Sequence, residues 1–99
     1  MILVPGSRAF ESMNEILTMA RNRNLDAELL RRIGEHKSWS RNYQVKLALV
    51  TNPKTPLATA MHYVNALMER DIRFLAKSKN VSATVVSQAR RILMQREKS

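Results

Sequence analysis

Phe10, Met13, Leu17 and Ala20 recur three or four positions apart with polar residues between them, the spacing that turns one face of an α-helix inward, and they predict a helix from about Phe10 to Arg21. Asp26, a good N-cap, opens a second helix from Ala27 to about His36, with Leu29, Leu30 and Ile33 inward and Gly34 weakening its last turn. Ser40 or Asn42 caps a third, which carries Val45, Ala48 and Leu49 inward and stops at Thr51, because Pro53 pushes Asn52 out of the α region. Thr55 and Pro56 read as an N-cap and a first-turn proline. The fourth helix, about Leu57 to Met68, then turns Leu57, Ala60, Met61, Val64 and Leu67 toward the core. Asp71 caps or enters the first turn of a short fifth helix ending near Ser78, and Ser82 caps a sixth with Val85, Val86, Ala89, Ile92 and Leu93 inward. No stretch alternates apolar and polar residues long enough to form a strand, so the expected class is all-α with about six helices.

The pattern also repeats. Asn24, Asn52 and Asn80 lie 28 residues apart, each between two apolar helical patterns. Ile16 to Ile33 lies over Ile72 to Ala89 without a gap, pairing Ile16 with Ile72, Ala20 with Ala76, Arg21 with Lys77, Arg23 with Lys79, Leu25 with Val81 and Asp26 with Ser82. The middle copy, Val45 to Val64, fits with about one inserted residue. A period of roughly 20 to 50 residues indicates stacked units that bury a core only together, and about three are needed. The expectation is a short α-solenoid of three stacked helix pairs over residues 9–96, with residues 1–8 a disordered or added N-terminal segment.

The segment Asn52-Pro53-Lys54-Thr55-Pro56, set between short helices rich in small and aliphatic residues, resembles the turns of leucine-rich repeat variant proteins. More distantly, the chain is similar to HEAT-like repeats. The resemblance spans about residues 14–93, although only Asn52 to Pro56 matches the motif literally. It implies a right-handed superhelical stack of helix pairs used for binding. Members of the group can carry a cysteine-bound iron–sulfur cluster. A chain without cysteine cannot, and no cofactor is expected.

Charge narrows the partner. The 99 residues hold 17 Lys and Arg against 8 Asp and Glu, a net charge of +9, which attracts polyanions while saying nothing about fold. Absence of cysteine excludes disulfides, thiolate metal sites and a cysteine nucleophile, and suits a reducing cytoplasm. The apolar runs Met1 to Val4 and Leu47 to Val50 fall far below the roughly 18 residues of a membrane span.

Stacking would line up the three inter-helix turns about 8 to 10 Å apart, the usual separation of packed helices. That rim would carry Arg21, Arg23, Lys54, Lys77 and Lys79 beside three helix N-termini, whose free amides attract phosphate. Arg21 and Lys77 have a second reading, since a cation in a last helical turn stabilises the dipole by about 0.3 to 1 kcal/mol without a ligand. Arg41, between Trp39 and Tyr43, completes the candidate anion-binding set, because exposed rings beside arginine stack on bases. The alternative for Trp39 is a plug between helix pairs. Arg31, Arg32, Arg90 and Arg91 either extend the patch or belong to solvated faces, with Glu28–Arg32 and Glu69–Arg73 spaced as i,i+4 ion pairs. His36 and His62 have no partner at metal or base spacing, and no glycine-rich phosphate loop exists, so neither a catalytic residue nor a metal site is expected. These readings leave a non-catalytic module that binds nucleic acid through its backbone, or else a protein-interaction domain that grips an acidic partner or associates with itself.

Overall fold

A computed structural model describes residues 13–97, all of their regular structure helical. Helix α1 covers Met13–Arg21, α2 Ala27–Glu35, α3 Tyr43–Thr51, α4 Leu57–Val64, α5 Glu69–Ala76 and α6 Ala83–Glu97, with a 3₁₀ turn at Trp39–Arg41 between α2 and α3. No described helix is long and apolar enough to cross a membrane. Phe10 and the segment 1–8 lie outside the described residues.

The helix starts follow local hydrogen-bond chemistry. Asp26 accepts from the Glu28 amide, and Asn42 accepts from the amides of Gln44 and Val45, so Asn42, not Ser40, caps α3. Ser82 sits where expected, its carbonyl accepting from the Val86 amide. The start of α4 differs. Pro56 itself is the N-cap, while Thr55, one residue earlier, is buried and its hydroxyl finds no partner among the described residues.

Helix α4 also ends at Val64, short of the expected Met68, because the Ala66 and Leu67 amides bond three residues back to Tyr63 and Val64 and tighten the chain into a turn. That turn drops Leu67 into the core and leaves Met68 extended as the N-cap of α5. The Leu67 carbonyl takes a bond of 3.3 Å from Arg96 of α6.

The helices share one core. Helix α5 packs along α6, α3 along α4 and α1 along α3, while α4 also meets α6. Between them lie the fully buried Ile16, Leu30, Val45, Leu49, Val64, Ile72, Leu75 and Val85. Two expected core residues are exposed, Leu29 at 39% and Leu57 at 46%. Each lies at the flank of its stripe, where Leu30 and Ile33 in α2, and Ala60 and Val64 in α4, take the inward direction.

Long-range bonds from three side chains tie the helices and turns to one another. The Asn52 amide donates to the carbonyls of Ala20 (2.8 Å) and Asn22 (3.0 Å), the Tyr43 hydroxyl donates to Asp71, and the Tyr63 hydroxyl donates to the Gly34 carbonyl. Gly34 is buried against α4, and a Cβ there would stand 2.7 Å from the Thr59 methyl. This glycine sets the separation of α2 and α4 rather than merely weakening a helix end.

Candidate functional site

The turns that join the helices within each pair share one chemistry. In each, the first residue's side chain accepts from the amide two positions on: Asn22 from Asn24 (2.9 Å), Asn52 from Lys54 (2.9 Å) and Ser78 from Asn80 (3.3 Å). Asparagine favours this turn because its carboxamide imitates a backbone carbonyl, and serine does the same more weakly. Equivalent positions are therefore 22, 52 and 78, at spacings of 30 and 26 residues. The even 28-residue series of Asn24, Asn52 and Asn80 is a coincidence of composition, since Asn24 and Asn80 are third residues of their turns and exposed. The gapless alignment of the first and third copies stands, because it also pairs Asn22 with Ser78.

Asn52 is only 5% exposed and joins the second turn to the first through both carbonyls that it reaches. Its loss would break the buried bond to the Ala20 carbonyl, while the Asn22 carbonyl keeps the Leu25 amide. Each unmet buried group costs about 1 to 3 kcal/mol.

Arg21 ends α1, Arg23 lies in the first turn, Lys54 in the second, Lys77 caps the C-terminus of α5 and Lys79 lies in the third turn. All five are exposed, and none forms an ion pair among the described residues. Four arginines on the faces of α2 and α5 behave differently. Arg31 pairs with Glu28 and Glu35, Arg32 with Glu28, Arg73 with Glu69 and Arg70 with Asp71. The Arg31 and Arg32 guanidiniums hold the Glu28 carboxyl below its ordinary value, with the Arg31 hydrogen bond the larger cause.

Arg41 does not join the turn cations. It closes the 3₁₀ turn before α3, whereas Lys54 follows the other end of that helix, about 13 Å along its axis at 1.5 Å per residue. Arg90 is committed elsewhere, its Nε donating to the Ala76 carbonyl at 3.2 Å and so closing the end of α5. Arg91 is exposed.

The expected aromatic platform at Trp39 and Tyr43 is occupied by structural contacts. Trp39 is half-buried against the core and stacks on His36 with centroids 3.6 Å apart and an 11° angle between planes. Tyr43 donates to Asp71 and accepts from the Met68 amide at 2.9 Å, pinning the start of α3 to the start of α5. Burial, reinforced by the Asp71 carboxylate, pushes the Tyr43 phenol above its ordinary value.

An open cleft of about 450 Å³ lies instead where the end of α1 meets α3 and α5. Arg21 and Arg23 line it together with Gln44, Thr51, Asp71 and Phe74. Phe74 is 65% exposed, more than any other large apolar side chain among the described residues. Its signal in the sequence was its phase: Ile72, Leu75 and Ala76 form the buried stripe of α5, and Phe74 falls outside it.

Among the described residues no three His, Asp or Glu side chains gather closely enough to hold a metal ion. No protein-family model, curated protein or solved structure matches the chain.

Proposed function

We propose that this chain is a non-catalytic binding module, a short α-solenoid of three stacked helix pairs like the leucine-rich repeat variant and HEAT-like arrays that its sequence resembles, and that it holds nucleic acid by the phosphate backbone. The observation that carries this reading is the division of the basic residues. Arg31, Arg32, Arg70 and Arg73 on the faces of α2 and α5 are matched by carboxylates, while Arg21, Arg23, Lys54, Lys77 and Lys79 at the turns are exposed and form no ion pair among the described residues, as is also true of Arg91 on α6. A polyanion that neutralises such a set releases its own condensed counterions.

Two bonding patterns support one continuous rim. Asn52 ties the second turn to the first, and Tyr43 sets the starts of α3 and α5 side by side, so that both helices lead from one side of the molecule toward their turns. Backbone contacts of this kind position a strand without reading its sequence.

The test is a salt titration of binding to labelled DNA. Five phosphate contacts predict a log–log slope of about −4.5 on duplex and about −3.5 on single strands, so raising salt from 50 to 200 mM weakens binding by about 100- to 500-fold. Changing all five cations to Ser should abolish binding while leaving the fold intact, since the side chains are exposed. Absence of binding at low salt sinks the proposal. Binding to a protein that survives nuclease and moderate salt would assign the rim to an acidic protein instead.

A further inference from the structure

We propose that the cleft between the end of α1, α3 and α5 is a nucleotide subsite for single-stranded nucleic acid, in which the Phe74 ring stacks on a base while Arg21 and Arg23 hold the adjoining phosphate. This rests on the nucleic-acid reading above and specifies which form of nucleic acid the rim takes.

Phe74 is an aromatic residue in the wrong place for stability. It points off the buried stripe of α5 and leaves 65% of its surface in water, in a domain whose Ile72 and Leu75 are completely buried. Lining the same cleft are two guanidiniums that form no ion pair among the described residues, those of Arg21 and Arg23. Lys77, the C-cap of α5, follows Phe74 by three positions, the spacing of neighbours on one helical face, and adds a cation near this end of the helix. A ring beside cations is what an unpaired nucleotide needs: a π-face for the base and charge for the adjoining phosphate.

The remaining walls fit the base edge. Gln44 presents both donors and an acceptor, and Asp71 presents acceptor oxygens held in place by Tyr43. The Asp71 carboxylate opposes phosphate at its own end of the cleft and therefore favours an orientation with the phosphate toward Arg21 and Arg23. The volume of about 450 Å³ lies within the roughly 300 to 1,000 Å³ of small-ligand clefts. Duplex DNA keeps its bases stacked on one another and cannot offer one to Phe74 without unstacking it.

The experiment compares a labelled 20-nucleotide oligothymidylate with a duplex of equal length, using the full chain and the variants Phe74→Leu and Phe74→Trp. Phe74→Leu keeps an apolar side chain but removes the ring, and should weaken single-strand binding by about 5- to 150-fold with little change in salt slope, as one stacked base contributes that much. Duplex binding should stay as it was, and Phe74→Trp should restore the single-strand affinity. Equal single-strand affinity for the wild-type protein and Phe74→Leu overturns the subsite, while the broader reading stands if the five-cation variant still loses binding. Failure of the wild-type protein to bind either probe at low salt overturns both. A Phe74→Leu loss confined to an acidic peptide, with oligothymidylate unaffected, assigns the cleft to a protein and overturns the proposal. Melting curves identify any variant that has failed to fold, and exposure of Phe74 makes that outcome separable from lost stacking.

Discussion

Gly34→Ala tests whether the contact between α2 and α4 is set by the missing side chain. A Cβ at this position would lie 2.7 Å from Thr59 Cγ2, and 3.5 Å from both Leu49 Cδ1 and Tyr63 Cε2. The last two distances are ordinary contacts, but the first falls nearly 1 Å inside the optimum of about 3.5 to 4.0 Å for carbon pairs. Thr59 is β-branched and lies within α4, so relief requires a rotamer flip or a shift of one helix. A shift would stretch the Tyr63 hydroxyl bond to the Gly34 carbonyl. Alanine gains about 1 kcal/mol over glycine in helix propensity, whereas overpacking costs about 1 to 3 kcal/mol. The expected result is a net loss of up to about 2 kcal/mol. Placed on a Thr59→Ala background, where the methyl is gone, the same change should instead stabilise by about 1 kcal/mol. Urea unfolding of the four proteins, followed by helical circular dichroism, gives the coupling directly, and a value of at least about 1 kcal/mol is expected for residues in contact. Equal effects of Gly34→Ala on both backgrounds would refute the reasoning and make Gly34 an ordinary weak helix residue.

Thr55→Val should raise the melting temperature. It removes a buried hydroxyl that has no hydrogen-bond partner among the described residues, at a position filled by Leu25 and Val81 in the other two turns, and such a group costs about 1 to 3 kcal/mol. A lower melting temperature for Thr55→Val would show that the hydroxyl is used. Tyr43→Phe strips the Met68 amide and Asp71 of a shared partner and should destabilise by about 1 to 3 kcal/mol at neutral pH. Because the Tyr43 phenol is raised in the folded protein, its contribution is complete below about pH 10, where the unfolded phenol ionises, and fades as pH climbs through the folded value. The stability gap between wild type and Tyr43→Phe should therefore narrow in denaturation series from pH 8 to 11, and a constant gap would contradict the assignment.

Much of the local structure was legible because its causes lie within four residues of each other. Asp26 and Asn42 cap by reaching amides two or three positions ahead, and Pro53 stops α3 through a neighbour clash. The ion pairs of Glu28 with Arg32 and Glu69 with Arg73 are likewise set by one helical turn. Periodicity placed Ala20, Leu30, Val45, Leu49 and Val64 in the core for the same reason, whereas in α1 it pointed to Leu17 and the fully buried neighbour is Ile16.

The candidate site was less legible. The turn cations could be named from the sequence, but that none of them forms an ion pair among the described residues depends on where carboxylates of other helices lie. Phe74 showed only a helical phase, and that phase becomes a cleft when α1 and α3 stand opposite it. Two aromatics that looked available, Trp39 and Tyr43, are occupied by His36 and by Asp71.

By itself the sequence determined that the described chain is helical, where most helices begin, and that its first and third copies align without a gap, all consequences of short-range backbone chemistry and apolar spacing. Tertiary structure alone decided that Asn52 joins two turns, why Gly34 lacks a side chain, and that Tyr43 is engaged by Asp71 and Met68. Those choices rest on contacts between residues 25 to 32 positions apart, such as Tyr43 with Met68 and Asn52 with Ala20, and a periodic pattern contains no term for distances that only packing creates.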